Sequence, residues 1–165
     1  MTSADFDPNS PQYGYPRTGA PQWSHERPAG VGLRFFARLI DGILVNLVAL
    51  GLSIVLFDWD YWWMVTGLFS GVMMFGYFVL LEVGYGASLG KRLLGLTVHG
   101  PGGAPKPDVK QSAIRNAFTL LAVVPYIGHP LAFVAYIVIA VTINTSPTKQ
   151  GKHDELAGGT QVVKR

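Results

Sequence analysis

Arg34, Arg38 and Asp41 stand at i, i+4 and i+7, so a helix drawn through them carries all three on one face. From Asp41 onward no charge follows until after residue 57. A span starting here would hold Asp41 about two turns inside Arg34. An intramembrane carboxylate costs about 2.5–3.5 kcal/mol on insertion scales, so Asp41 is expected to face the bundle and either pair with Arg38 one turn back or hold a proton. Two chemistries fit: an ion or proton site, or an Arg–Asp pair that orients the helix near the cytoplasmic interface. Asn46 and Ser53 extend the polar content deeper.

The second polar cluster is His153-Asp154-Glu155. If the C-terminal segment folds back under the bundle, Asp154 can reach Arg34, Arg92 or Arg115. Such a charge-assisted pair would close the cytoplasmic end or gate a pathway. Glu82 follows an uncharged stretch and would compete for the Arg34–Arg38 face. Gly67 and Gly71 form a GxxxG pair, whose small residues let helices approach closely within one chain or between two copies.

Other motifs fail. GYGASLGKRL lacks the glycine and the Ser or Thr of a phosphate loop, with Tyr85 and Arg92 in their places. His25, His99, His129 and His153 have no metal-ligand spacing, and no Ser-His-Asp arrangement is visible. The internal KHDEL is out of reach of a receptor that reads C-termini. No catalytic residue, metal or cofactor is expected, and the chain does not read as an enzyme.

The elements that must position these residues follow from composition. Only 14% of the 165 residues are charged, against about 25% in soluble domains. Residues 42–57, 61–81 and 116–148 carry no Lys, Arg, Asp or Glu. That pattern excludes an ordinary soluble enzyme and a wholly disordered chain, and makes the lipid bilayer the main partner. The net charge of +3 comes from basic residues flanking apolar segments, so nucleic-acid binding is not expected. With no cysteine, disulfides and thiolate chemistry are excluded.

Residues 1–30 hold five of the 11 prolines, spaced by Gly, Gln, Tyr and Ser, and read as a disordered cytoplasmic tail of polyproline II character. The tail has no apolar signal-peptide core, so no cleavage is expected; it is either solvated or docks a protein partner. Spans are expected over 33–57 and 61–81, joined by an acidic turn at Asp58-Trp59-Asp60. Next come a short helix capped by Ser88, a short strand LTVH and a turn GPGGAP, a juxtamembrane element between the spans. Residues 116–148 are long for one crossing and short for two, with Pro125, Gly128 and Pro130 in the middle.

Charge placement splits this region. Basic residues sit before the first span, in loop 82–115 and in the C-terminal tail, whereas the 58–60 turn has none. The positive-inside rule then puts both termini in the cytoplasm. That requires a helix over 109–124, a YIGHP break, and a helix over 131–146, with Lys110 and Arg115 snorkelling to the boundary. Both legs are short, so a re-entrant hairpin also fits; a three-span topology is the alternative.

Four blocks together, GLRFFARLIDGILV, SLGKRLLGLTVHGPGGAP, the Arg115-Asn116 pair and QGKHDELAGGTQVV, resemble the RDD family. This is a group of bacterial membrane proteins named for one arginine and two aspartates. The resemblance covers about residues 30–165. It implies that the family arginine is Arg34 and the aspartates Asp41 and Asp154; Arg38 is additional. LAGGT has one glycine more than the family's LAGT, so the turn after Asp154 is expected to differ. The resemblance also implies a multi-pass protein of the bacterial plasma membrane, of undefined molecular function. Transport of ligands is the usual proposal, with sodium/proton exchange associated with some members.

The expected protein is therefore an all-α membrane bundle of four embedded helices over 31–165, behind the 1–30 tail. Its expected function is transport of an ion or small ligand at Arg34, Arg38, Asp41 and Asp154, with two or more copies enclosing the pathway. The alternative is a non-transporting scaffold whose Pro-rich tail recruits a partner.

Overall fold

The computed structural model describes residues 26–56, 62–124 and 126–165, the side chains of 62–68 excepted. Residues 1–25, which make up nearly all of the expected docking tail, and the acidic turn at 58–60 lie outside the described residues. The chain is mostly helical. Helix α1, Val31–Leu56, has 26 residues and so a length of about 39 Å. Its buried residues are Arg34, Ala37, Asp41, Val45, Ala49 and Ser53, a single stripe at three- and four-residue spacing. Phe35, Phe36, Ile43, Leu47 and Val55 on the other faces are exposed. Small and polar inside, large and apolar outside, is the reverse of a soluble helix and suits a hydrocarbon surrounding.

Helix α2, Trp62–Tyr85, continues four residues past the expected end and packs along the α1 stripe. Val45, Met74 and Phe78 form the apolar contact, with Met73 and Tyr77 against it. Deeper along the pair, Ser70 Oγ donates to Asn46 Oδ1 at 2.8 Å.

The third apolar segment differs from the expected helix over 109–124. Asp108 and Gln111 form a capping box that starts α4, Val109–Asn116, but the chain then tightens into a 3-10 helix, Ala117–Val123. This arm runs beside α2, where a Cβ added at Gly71 would lie 2.7 Å from Val123 Cγ2 and 3.3 Å from the Thr119 carbonyl. The arm turns back through Tyr126, whose φ of 63° is left-handed, in the YIGHP stretch. Helix α5, Gly128–Thr145, begins three residues before the expected start. Pro130 falls in its first turn, where a missing N–H breaks no helical bond. The corner is tight: a Cβ at Gly128 would meet the Leu121 carbonyl oxygen at 2.1 Å. Of α5, only Gly128, Ala132 and Ile143 are buried. Helices α1 and α5 are both long and apolar enough to cross a membrane.

The fold is not purely helical, which corrects the all-α expectation. Strand β1, Arg27–Pro28, β2, Leu96–His99, and β3, Gln161–Lys164, form an antiparallel sheet of order β1-β3-β2. Thr97 lies opposite Val163 and Val98 opposite Val162. The LTVH strand was legible; its partners, far away in sequence, were not. The sheet and two short helices, α3 (Leu89–Leu93) and α6 (Lys152–Leu156), close one end of the bundle. Ala29, Leu96, Val98 and Val162 pack there on Ala37 of α1. Residues 26–30, the end of the stretch read as tail, belong to this cap: Ala29 is buried and its N–H donates to the Val162 carbonyl.

Candidate functional site

Asp41 is fully buried and does not pair with Arg38. Its Oδ1 accepts from the Tyr77 hydroxyl at 2.6 Å and from the Gly90 amide at 2.7 Å; its Oδ2 accepts from Ser88 Oγ at 2.5 Å. These bonds finish the start of α3. The free amides of Leu89, Gly90 and Lys91 are taken by Tyr77 Oη (3.1 Å), Asp41 Oδ1 (2.7 Å) and Ser88 Oγ (3.4 Å) respectively. Glycine at 90 allows the approach, since a Cβ there would sit 2.3 Å from the Ala37 carbonyl oxygen. Asp41 thus caps one helix from inside another, and both of its oxygens accept from protein donors.

Arg34 and Asp154 form the second centre. Arg34 Nη1 donates to Asp154 Oδ2 at 2.8 Å. Its Nε donates to the Ala29 carbonyl at 3.0 Å, and Nη2 to the Lys149 and Val162 carbonyls at 2.6 and 3.3 Å. One guanidinium therefore ties α1 to the residue after β1, to β3, α6 and the segment after α5. The Gly151 amide donates to Asp154 Oδ2 at 3.2 Å, and Thr160 Oγ1 donates to Oδ1 at 3.2 Å. Arg115 Nε lies 3.2 Å from the same Oδ1, an ion pair without hydrogen-bond alignment. Burial alone would disfavour the Asp154 carboxylate, yet the charges around it, Arg115 foremost, hold it well below the usual carboxylate range. Neighbouring His153 is pulled down to about 3, chiefly by burial. After α6 the chain reverses through Gly158 and Gly159 at φ of 88° and 93°. The amides of Gly159 and Thr160 then return to the Asp154 carbonyl. Both glycines of LAGGT are thus used in the turn.

A third knot surrounds Glu82, which is buried and does not take the Arg34–Arg38 face. It pairs with Lys91 and accepts from Ser112 Oγ and Asn116 Nδ2, both at 2.9 Å. Asn116 in turn accepts from Arg38 Nη2 at 2.6 Å. The Arg38 guanidinium lies 3.7 Å from the Phe78 ring centre, a cation–π contact. Arg115 does not snorkel: it is buried between the Glu82 and Asp154 centres. Arg92 reaches neither aspartate and stacks on Tyr85 at 5.1 Å. Gly71 faces the 3-10 arm, whereas the surroundings of Gly67 lie outside the described residues.

Between α1 and α5 a cavity of about 280 Å³ opens beside these centres. Phe35, Leu39, Phe133 and Ile139 make apolar walls, and Arg34, Arg38, Lys91 and Arg115 line its polar side. Arg38 Nη1 and Arg115 Nη1 are buried atoms without a hydrogen-bond partner among the described residues. Buried donors in this condition are uncommon in folded proteins. The carboxylates of Asp41, Asp154 and Glu82 are occupied, so what the cavity offers a ligand is positive charge.

Reading the sequence located Arg34, Arg38, Asp41, Glu82, Arg115 and Asp154, but missed Tyr77, Gly90, Lys91 and Thr160. The block SLGK held a usable signal, because a Ser cap followed by Gly marks a helix start that another backbone can approach.

The RDD family profile matches residues 28–158, from β1 through α6. No curated relative and no solved structure matches the chain. With the family profile covering most of its length and with its long apolar helices, the chain is a membrane protein that belongs to the RDD family.

Proposed function

We propose that this protein is a multi-pass membrane protein of the plasma membrane that binds an anionic ligand in the cavity between α1 and α5, as the binding step of transport. Four segments are embedded: α1, α2, the α4–3-10 arm as a short re-entrant leg, and α5. The Arg34–Asp154 pair supports this arrangement, because it joins the start of α1 to the chain just after α5. Those two ends then share one face of the membrane, which requires an even number of legs. The basic residues on that face make it the cytoplasmic one. Leu89 and Leu93, both exposed on α3, suit a helix lying in the interface.

The observation that carries the reading is the gathering of Arg34, Arg38, Lys91 and Arg115 along one side of the cavity, with Arg38 Nη1 and Arg115 Nη1 buried without a hydrogen-bond partner among the described residues. Asp41 is satisfied by Tyr77, Ser88 and Gly90, which supports a structural role for it over a cation or proton site. A scaffold role would rest on residues 1–25, and no observation favours it. The test is flux in liposomes containing the purified protein. Anion flux that Arg38→Gln abolishes is expected; cation or proton flux that Asp41→Asn abolishes while Arg38→Gln leaves it intact would contradict the reading.

A further inference from the structure

The cavity has two unlike halves. Its polar side gathers Arg34, Arg38, Lys91 and Arg115 near the closed end of the bundle. Its other walls are mostly apolar, with Tyr136 and His153 among them, and they follow α1 from Val31 to Leu39 and α5 from Ile143 back to Phe133. Ten residues of α5 amount to about 15 Å of helix. The cavity thus extends from the level of Arg34 into the bilayer interior. Phe35 and Phe133, on its rim, are 60% and 66% exposed, so they face the lipid side of the bundle. A water-soluble anion would satisfy the guanidinium atoms and leave this apolar length unused. At about 280 Å³ the space is slightly smaller than typical small-molecule pockets.

Resting on the anion-binding reading above, we propose that the occupant is an anionic membrane lipid, its phosphate or carboxylate head on the polar side formed by Arg34, Arg38, Lys91 and Arg115 and its acyl chain between α1 and α5. A lipid already lies at this depth in its leaflet, with its head at the interface, so entry from the side moves it little. Arginine suits the head because its planar fork pairs with two oxygens at once. Burial of acyl methylenes against Phe35, Leu39, Phe133 and Ile139 contributes the rest of the affinity, whereas a zwitterionic phosphocholine head brings its own quaternary ammonium against the four basic side chains.

The test uses the full chain, purified in detergent and titrated with phosphatidylglycerol, phosphatidylcholine and inorganic phosphate, read by native mass spectrometry and thermal denaturation. Phosphatidylglycerol is expected to bind at least tenfold more tightly than phosphatidylcholine, and Arg38→Gln to remove that preference. Ala140→Phe fills the apolar wall and leaves every arginine in the chain, and is expected to abolish lipid binding while the lipid-free chain unfolds at the same temperature. Equal binding of the two lipids, or lipid binding unaffected by both variants, would overturn the proposal. Stabilisation by inorganic phosphate that depends on Arg38, with no lipid preference, would overturn the lipid assignment and leave the anion site standing. No binding of any anion would remove both.

Discussion

At the scale of single residues, the arginine and aspartates do different work. Arg34 and Asp154 are partners, and removing one leaves the other charged and buried, at a cost of about 3–5 kcal/mol. Arg34→Gln is therefore expected to lower the melting temperature in detergent sharply, more than Arg92→Gln, whose side chain only stacks on Tyr85. Equal, small shifts for both would contradict the clasp. His153 gives a second handle. Burial foremost holds its folded value at about 3, whereas the unfolded chain binds a proton near 6.5. Its contribution to stability is complete above about pH 6.5 and declines as pH falls from there toward 3. Asp154, held low, contributes fully above about pH 4 and weakens only below that, so the two windows separate. His153→Phe should flatten the loss of melting temperature between about pH 6.5 and 4; a slope equal to the parent's would show that another group titrates there.

The elements show what could be read in advance and what could not. The long helices α1 and α2 were legible because they declare themselves by length and missing charge. The pairing of Asp41 was not, because its three partners, the Tyr77 and Ser88 hydroxyls and the Gly90 amide, lie 36 to 49 residues away and carry no charge to flag them. The same holds for the sheet: QVVK is too short to stand out, and only pairing with both β1 and β2 makes it a strand. The expected helix over 109–124 failed at Ala117, where the segment tightens against α2 at Gly71. Close approaches at glycine make this level testable. Gly90→Ala places a methyl against the Ala37 carbonyl and should cost about 1–3 kcal/mol by lifting α3 off α1. Thermal denaturation checks it, with Gly95→Ser as a comparison at an exposed left-handed glycine whose added Cβ would meet no neighbour. No loss in Gly90→Ala would contradict the close approach of α3 to α1.

For the whole molecule, the folded cap imposes a topology. Arg27 and Arg165 both flank the sheet that covers the start of α1, so they belong on one side of the membrane. The chain has no cysteine, so Arg27→Cys and Arg165→Cys can each be labelled without background. Both are expected to react only from the cytoplasmic face, and labelling from opposite faces would be incompatible with the Arg34–Asp154 clasp. Behind that cap the buried carboxylates hold helices together, and Arg34, Arg38, Lys91 and Arg115 line one side of a cavity. The most direct test of this division is one anion-binding titration run side by side on the parent chain, Arg38→Gln and Asp41→Asn. The account predicts that Arg38→Gln stays folded and loses binding at least tenfold, while Asp41→Asn melts earlier but binds as the parent does where it is folded. Binding lost in folded Asp41→Asn and retained in Arg38→Gln would contradict it.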